Sequence, residues 1–154
     1  MVKRVSLKGA DCPVARSLDV IGDWWSLLIV RDAFDGVRRF GEFQKSLGIS
    51  KGILASRLLA LVEFGVLAVE PASDGSTWQN YVLTPKGEGL FPMIVALRQW
   101  GEAFCYEEGE DHSTLMERKT GKPLAPLRVR SASGRELDAR DTVVRKIQPD
   151  STYL

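Results

Sequence analysis

The stretch Arg39–Leu67, RFGEFQKSLGISKGILASRLLALVEFGVL, decides how the rest of the chain is read. Phe43 and Leu47 stand four apart, which gives its opening residues a single apolar helical face. Gly48 ends that helix, because glycine adopts the left-handed cap conformation at little cost. Ile49 then plugs a tight turn, and Ser50 is placed to cap a second helix by accepting from its free backbone N–H groups. In that second helix Leu54, Leu58 and Leu61 share a face, while Lys51, Gly52, Ala55, Ser56 and Arg57 gather near its start on the others. From Arg38 to Leu58 five bases (Arg38, Arg39, Lys45, Lys51, Arg57) meet one acid, Glu42. Two short helices with a tight turn between them, the second basic at its start, describe a helix-turn-helix whose second helix enters the DNA major groove.

The residues beyond the stretch support this reading. After Phe64-Gly65 the apolar period changes from helical to alternating, with Leu67 and Val69, then Tyr81 and Leu83, on two strands. PASDGSTWQN between them is rich in turn formers, and Asp74-Gly75 is the expected tip. A hairpin directly behind a helix-turn-helix is a wing. Its tip residues Ser73, Ser76, Thr77 and Gln79 are suited to donate to phosphates or enter the minor groove. Thr84-Pro85 then opens a further helix, PKGEGLFPMIVALRQWGEAFCYEEGE, with a cap and a first-turn proline. Leu90, Ile94, Leu97, Gly101 and Phe104 repeat along it at fours and threes, the spacing of a helix packing on a partner. Pro92 is expected to kink it or split off its first turn.

Ahead of the stretch, residues 1–11 read as a flexible or loosely docked arm. CPVARSLDVIG, from Cys12, reads as a helix with Val14, Leu18 and Ile21 on one face. Gly22 breaks it, and Asp23 caps WWSLLIVRDAFDG, in which Trp25, Leu28 and Ile29 are expected to point inward. The domain is thus expected to run over residues 12–111. Residues 112–154, with glycines and prolines at turn-like spacing, form an irregular extension. The fold class is mainly α with a small β wing, an α+β winged helix-turn-helix.

Bulk properties narrow the function. The 154 residues are 44% hydrophobic and 27% charged, as in ordinary globular proteins. No apolar run reaches the roughly 20 residues of a membrane span, and the N-terminus has no apolar core of a secretory signal; a cytoplasmic protein without membrane association is expected. Net charge is only +1, but the charge is segregated. Glu102, Glu107, Glu108, Glu110 and Asp111 form an acidic run, whereas 112–154 holds nine bases against five acids. A basic DNA-facing surface is therefore compatible with a near-neutral sum. Two cysteines and one histidine give no metal knuckle or catalytic triad, and no Gly-rich phosphate loop is present. No cofactor, metal or catalytic residue is expected. A thiol-dependent enzyme lacks a base beside either cysteine, and a protein-interaction module without DNA readout is the rival reading.

The motifs CPVARSLDVIGDWW (12–25), RRFGEFQKSLGIS (38–50), LASRLLALVEFGVL (54–67) and NYVLTPKGEGLFPMIVALRQWG (80–101), in this order, resemble the HxlR-type, MarR-like winged helix-turn-helix regulators. The resemblance implies a homodimer built on the first and last helices, repressing or activating transcription, with a recognition helix near 50–64. A repressor on an inverted-repeat operator is the expected form. The DNA-facing residues would be Arg38, Arg39, Lys45, Ser50, Lys51, Gly52, Ser56, Arg57, Ser76 and Thr77. Arg57 also reads a second way, as a pin to a neighbouring acid or backbone group. Cys12 matches a cysteine that some relatives use to sense oxidants or electrophiles, and the positive end of a helix favours thiolates. Cys105 would be its resolving partner across the dimer, which requires Cα atoms within about 7 Å. A small-molecule effector among Trp24, Trp25, Trp78 and Trp100 is the other expectation. The chain departs from the pattern at Asp23, where the family often has a base, and at Thr120, Arg130 and Ser133, where the family's extension often carries cysteines. Gly52 and Ala55 leave few side chains for base reading, so DNA shape is expected to share in specificity.

Overall fold

A computed structural model describes residues 5–147. The order is α1 (Pro13–Ile21), α2 (Trp24–Phe34), α3 (Phe40–Leu47), α4 (Lys51–Glu63), β1 (Leu67–Pro71), β2 (Gln79–Leu83), α5 (Pro85–Glu88) and α6 (Phe91–Phe104), with a 3-10 turn at Ala139–Asp141. The chain divides into two compact units, Met1–Ile94 and Val95–Leu154.

The first unit is a winged helix. Its core consists of Ile29 and Val30 from α2, Phe43 from α3, Ile49 from the turn, Leu54, Leu58 and Leu61 from α4, and Val66 and Leu67 leading into β1. Each of the larger side chains contributes about 1.5–3 kcal/mol by leaving water, which outweighs any single polar contact on the surface. The turn between α3 and α4 follows the local signals. Gly48 caps α3 at φ 62°, Ile49 is buried beneath it, and Ser50 Oγ accepts from Ile53 N–H at 3.4 Å.

β1 and β2 pair antiparallel with Leu67 opposite Leu83 and Val69 opposite Tyr81, so the four expected strand positions share one face. Leu67 is buried, Tyr81 and Leu83 pack on the core, and Val69, farther along the hairpin, is exposed. The link ahead of α3 adds to this sheet, since Tyr81 N–H donates to the Arg38 carbonyl at 2.7 Å.

The segment after the wing is clamped to the end of α4. Thr84 Oγ1 accepts from Gly87 N–H at 3.1 Å and donates to the Gly65 and Val66 carbonyls. Lys86 Nζ donates to the Phe64 carbonyl at 2.7 Å, which satisfies a free group at the helix end. The expected single helix from Pro85 is divided as the Pro92 reading allowed: α5 stops at Gly89, and α6 begins with Pro92 in its first turn.

Of the α1 face that Val14, Leu18 and Ile21 share, Ile21 is enclosed, whereas Val14 and Leu18 are 67% and 48% exposed. The spacing identifies the face but not a covering element. Of the tryptophans, Trp25 packs on the core, whereas Trp24, Trp78 and Trp100 are exposed. Of the arm expected at 1–11, residues 1–4 lie outside the described range, and Leu7 N–H donates to Asp19 Oδ1 of α1 at 2.9 Å.

The second unit is held by side-chain bonds to backbone. Gln99 donates to the Ala125 carbonyl at 3.0 Å and accepts from Leu127 N–H at 2.7 Å. Arg98 binds the Ser113 carbonyl and hydroxyl at 3.0 and 2.9 Å. Isolated bridges join Met116 to Pro123 and Arg130 to Glu136 across turns at Gly121 and Gly134.

Gly87 marks the tightest approach: a Cβ there would sit 2.2 Å from the Val66 carbonyl oxygen. Gly87→Ala is expected to destabilise the chain by about 1–3 kcal/mol through forced displacement. Urea unfolding measures it, and Gly101→Ala, where a Cβ meets nothing within 4 Å, is the control.

Candidate nucleic-acid interface

α4 buries one stripe and must present the opposite one. At 100° per residue, Leu54, Leu58 and Leu61 lie on the core side. Gly52, Ser56, Leu59 and Glu63 lie on the far side, and all four are exposed. Lys51 and Gly52 occupy the first turn behind the Ser50 cap, where unpaired N–H groups and the helix dipole favour a phosphate. A Cβ on Gly52 would meet nothing within 4 Å, so this glycine is not required by packing inside the chain. Ser50, Lys51, Gly52 and Ser56 are therefore brought together on one exposed end of α4. Lys45 is exposed on α3, and Arg38 is exposed just ahead of it. Among the described residues no ion pair engages the side chains of Arg38, Lys45 or Lys51.

Arg39 and Arg57 are placed differently. Arg39 Nη2 pairs with Asp74 at the wing tip, which ties the start of α3 to the hairpin. The tip itself is an Asx turn: Asp74 Oδ1 accepts from Ser76 N–H at 3.0 Å, and Gly75 takes φ 74°. Ser76 and Thr77 thus sit at the hairpin end beside the Arg39 pair, Thr77 exposed and Ser76 partly covered. Arg57 lies 3.2 Å from Asp23 Oδ1, at the start of α2. Of its two readings, this geometry is that of the pin to a neighbouring acid.

Three acids had no role in the sequence reading beyond caps and turns. Glu42 accepts from both Arg39 and Arg38 N–H groups, at 3.0 and 3.2 Å, and those bonds hold its carboxyl below the ordinary range. Asp74 is held well below that range by Ser76 and then by Arg39. Asp23 is the third. For Asp74 and Asp23 the signal lies in tertiary approach across more than thirty residues, so spacing does not expose it. Glu42, three residues into α3 behind Arg39, was legible as an N3 acceptor.

The two cysteines are both exposed and free. Cys12 is the N-cap of α1 and makes no side-chain capping bond. Cys105 follows the last residue of α6 and belongs to the second unit. Among the described residues no cluster of potential metal ligands occurs, and no helix is long and apolar enough to cross a membrane.

A helix-turn-helix with a following hairpin and a capped, basic second helix defines the winged-helix class of DNA-binding proteins. Residues 20–109 match the HxlR-like helix-turn-helix family, and the chain belongs to it. It is 38% identical over 128 residues to an uncharacterized HTH-type transcriptional regulator of Mycobacterium tuberculosis, covering 83% of this chain and 81% of that one. Among solved structures it is similar to PA1607, a candidate transcription factor, at 57% identity and TM-score 0.87, over 91% of this chain and 98% of that chain. It is also similar to the redox regulator HypR in its reduced form, at 31% identity and TM-score 0.55, over 60% of this chain and 92% of that one. The protein is a DNA-binding transcriptional regulator of the helix-turn-helix type.

Because the Asp74 carboxyl is held low in the folded state, its contribution to the wing is present above the unfolded aspartate value and is lost as pH falls through the lower folded one. In a carbon-detected NMR titration Asp74 is expected to protonate below the peptide value of about 3.9. Arg39→Gln should move it part of the way back, leaving the Ser76 bonds. Titration at the peptide value in both proteins would refute the tie between wing and α3.

Proposed function

We propose that the protein is a homodimeric, sequence-specific repressor that places α4 in the major groove of each half of an inverted-repeat operator, with the two wings flanking. The observation that carries this is the exposed, capped end of α4. It presents Ser50, Lys51, Gly52 and Ser56 together, with Arg38 and Lys45 outside any ion pair among the described residues. Half-sites about 34 Å apart would match successive major grooves on one side of the duplex.

A second copy is the partner that the uncovered apolar faces suit. α1 leaves Val14 at 67% exposure, and α6 leaves Leu97, Trp100 and Phe104 at 49%, 59% and 73%. Exposed apolar side chains of this size are a usual mark of association, and a twofold dimer uses the same surfaces on both copies.

Control of binding is assigned to thiol oxidation, with Cys12 as the sensing thiol and Cys105 of the second copy as its resolving partner. Disulfide formation joins the two sulfurs while an oxidant takes up two electrons and the two thiol protons. The similarity to HypR, described as a redox regulator, supports this assignment. A small ligand is the alternative effector. The second unit offers it a groove of about 860 Å³ beside Trp100, Leu124, Leu127 and Val129.

Each phosphate contact removed should flatten the dependence of log affinity on log salt by about 0.9. Arg38→Ala with Lys51→Ala is therefore expected to weaken binding to a site selected from random duplex DNA and to lower the slope by about 1.8. Retained affinity at physiological salt would sink the DNA-surface assignment and leave the protein-interaction reading.

Diamide, which accepts the two electrons and two protons, is expected to give a disulfide-linked dimer on a non-reducing gel. Its linking peptide should contain Cys12 and Cys105, and Cys12→Ser or Cys105→Ser should abolish it. The absence of any such linkage would remove the redox reading.

A further inference from the structure

Arg57 carries a charge in the middle of α4, yet helix geometry turns it away from the side that α4 exposes. It lies on the flank of the Leu54, Leu58 and Leu61 stripe rather than among Gly52, Ser56 and Leu59. Its side chain is about one-third exposed, at 38%, and that of Asp23 only 17%. Arg57 Nε, 3.2 Å from Asp23 Oδ1, is sealed from solvent. It meets the carboxylate in ion-pair contact and finds no aligned hydrogen-bond acceptor among the described residues.

The acid is fixed before it meets the base. Asp23 Oδ1 accepts from Ser26 N–H at 3.0 Å and Oδ2 from the Ser26 hydroxyl, and Ser26 is itself buried. Asp23 is also the N-cap of α2, directly after Gly22, the C-cap of α1. The carboxylate therefore sits in the two-residue joint between α1 and α2, held by its own helix. A charge-assisted contact from that joint to the second turn of α4 adds a directional restraint on the orientation of α4 to the one its buried apolar stripe supplies.

We infer that Arg57 is a positioning residue, clamped by Asp23 so that α4 is held in one orientation against the α1–α2 joint, and that base reading falls to the exposed side of α4 instead. This rests on α4 being the recognition helix. Arg57 then serves every operator equally and discriminates among none. The exposed side offers the Ser56 hydroxyl, the open backbone at Gly52 and the methyl groups of Leu59. The base-edge chemistry they suit is a hydroxyl hydrogen bond and apolar contact with thymine methyls.

The test is a double-substitution cycle in the full-length chain. Asp23→Asn removes the charge and keeps a capping side chain; Arg57→Met removes the charge and keeps most of the length. Each variant and the pair are titrated on a site selected by the unaltered protein, at several salt concentrations, and each selects anew from random duplex DNA. Each single change is expected to weaken binding roughly tenfold, with the double variant no weaker than either, as for residues acting as one unit. Base preferences and the salt slope should stay unchanged, and Arg57→Lys should recover some of the affinity.

Relaxed preference at one base pair in Arg57→Met, with Asp23→Asn unaffected, would make Arg57 a base reader and overturn the inference. A slope lower by about 0.9 in the arginine variant alone would make it a phosphate contact and do the same. Lower stability in urea with unchanged affinity of the folded protein would reduce the pair to a structural role and likewise overturn it. If the unaltered protein selects no DNA, the recognition-helix reading itself has failed. The cycle read by urea unfolding then still decides the pair, since additive losses would show that the two residues do not act as a unit.

Discussion

The burial of Leu54, Leu58 and Leu61 against Ile29, Val30 and Phe43 is the contact on which the remaining architecture depends. It fixes α4 to α2 and α3, and by fixing one stripe it dictates which other stripe faces outward. Three leucines at about 1.5–3 kcal/mol each exceed what surface ion pairs contribute, usually under about 1 kcal/mol. The apolar contact therefore sets where α4 lies, and polar contacts adjust its orientation. Thr84 and Lys86 then bind the Gly65, Val66 and Phe64 carbonyls just beyond α4, so the wing departs from a fixed point.

Charge on this framework is divided between structure and surface. Arg39 goes to Asp74 and Arg57 to Asp23, and in both cases the partner acid is oriented by a serine nearby. Arg38, Lys45 and Lys51 take part in no ion pair among the described residues. A chain with a formal charge of only +1 can thus show DNA a locally positive face, because some of its positive charge is engaged internally and the rest is left open.

The residues legible in the sequence were those whose cause is local. Gly48, Ile49 and Ser50 are specified by the caps and turn they make, and the leucines of α4 by their period. Leu67, Val69, Tyr81 and Leu83 are marked as strand positions by their alternation, whereas the register that sets Leu67 opposite Leu83 and Val69 opposite Tyr81 is not. The Asp23–Arg57 and Arg39–Asp74 pairs join residues thirty-four and thirty-five positions apart, a distance over which no pattern of spacing selects one acid from another. The close packing of Gly87 on the Val66 carbonyl is hidden for the same reason, since a helix start with glycine looks like an ordinary one. Val14 and Leu18 show the converse limit: a period identifies an apolar face but is silent on what covers it.

These constraints bear on how the proposed dimer would be controlled. Within the first unit α4 is held by a close-packed stripe and, through Arg57, by the α1–α2 joint, and close-packed contacts yield by switching rather than by gradual deformation. A signal arriving at α1, where Cys12 forms the helix cap, would therefore carry α2 and α4 along as a body more readily than it would bend α4. In a dimer such rigid displacement changes the distance between two recognition helices. Moving occupancy from nearly full to nearly empty requires a difference of about 5.5 kcal/mol between the two states. Misalignment of both half-sites at once is an effective way to reach it, because the weakening at one half adds to that at the other while neither winged helix needs to unfold.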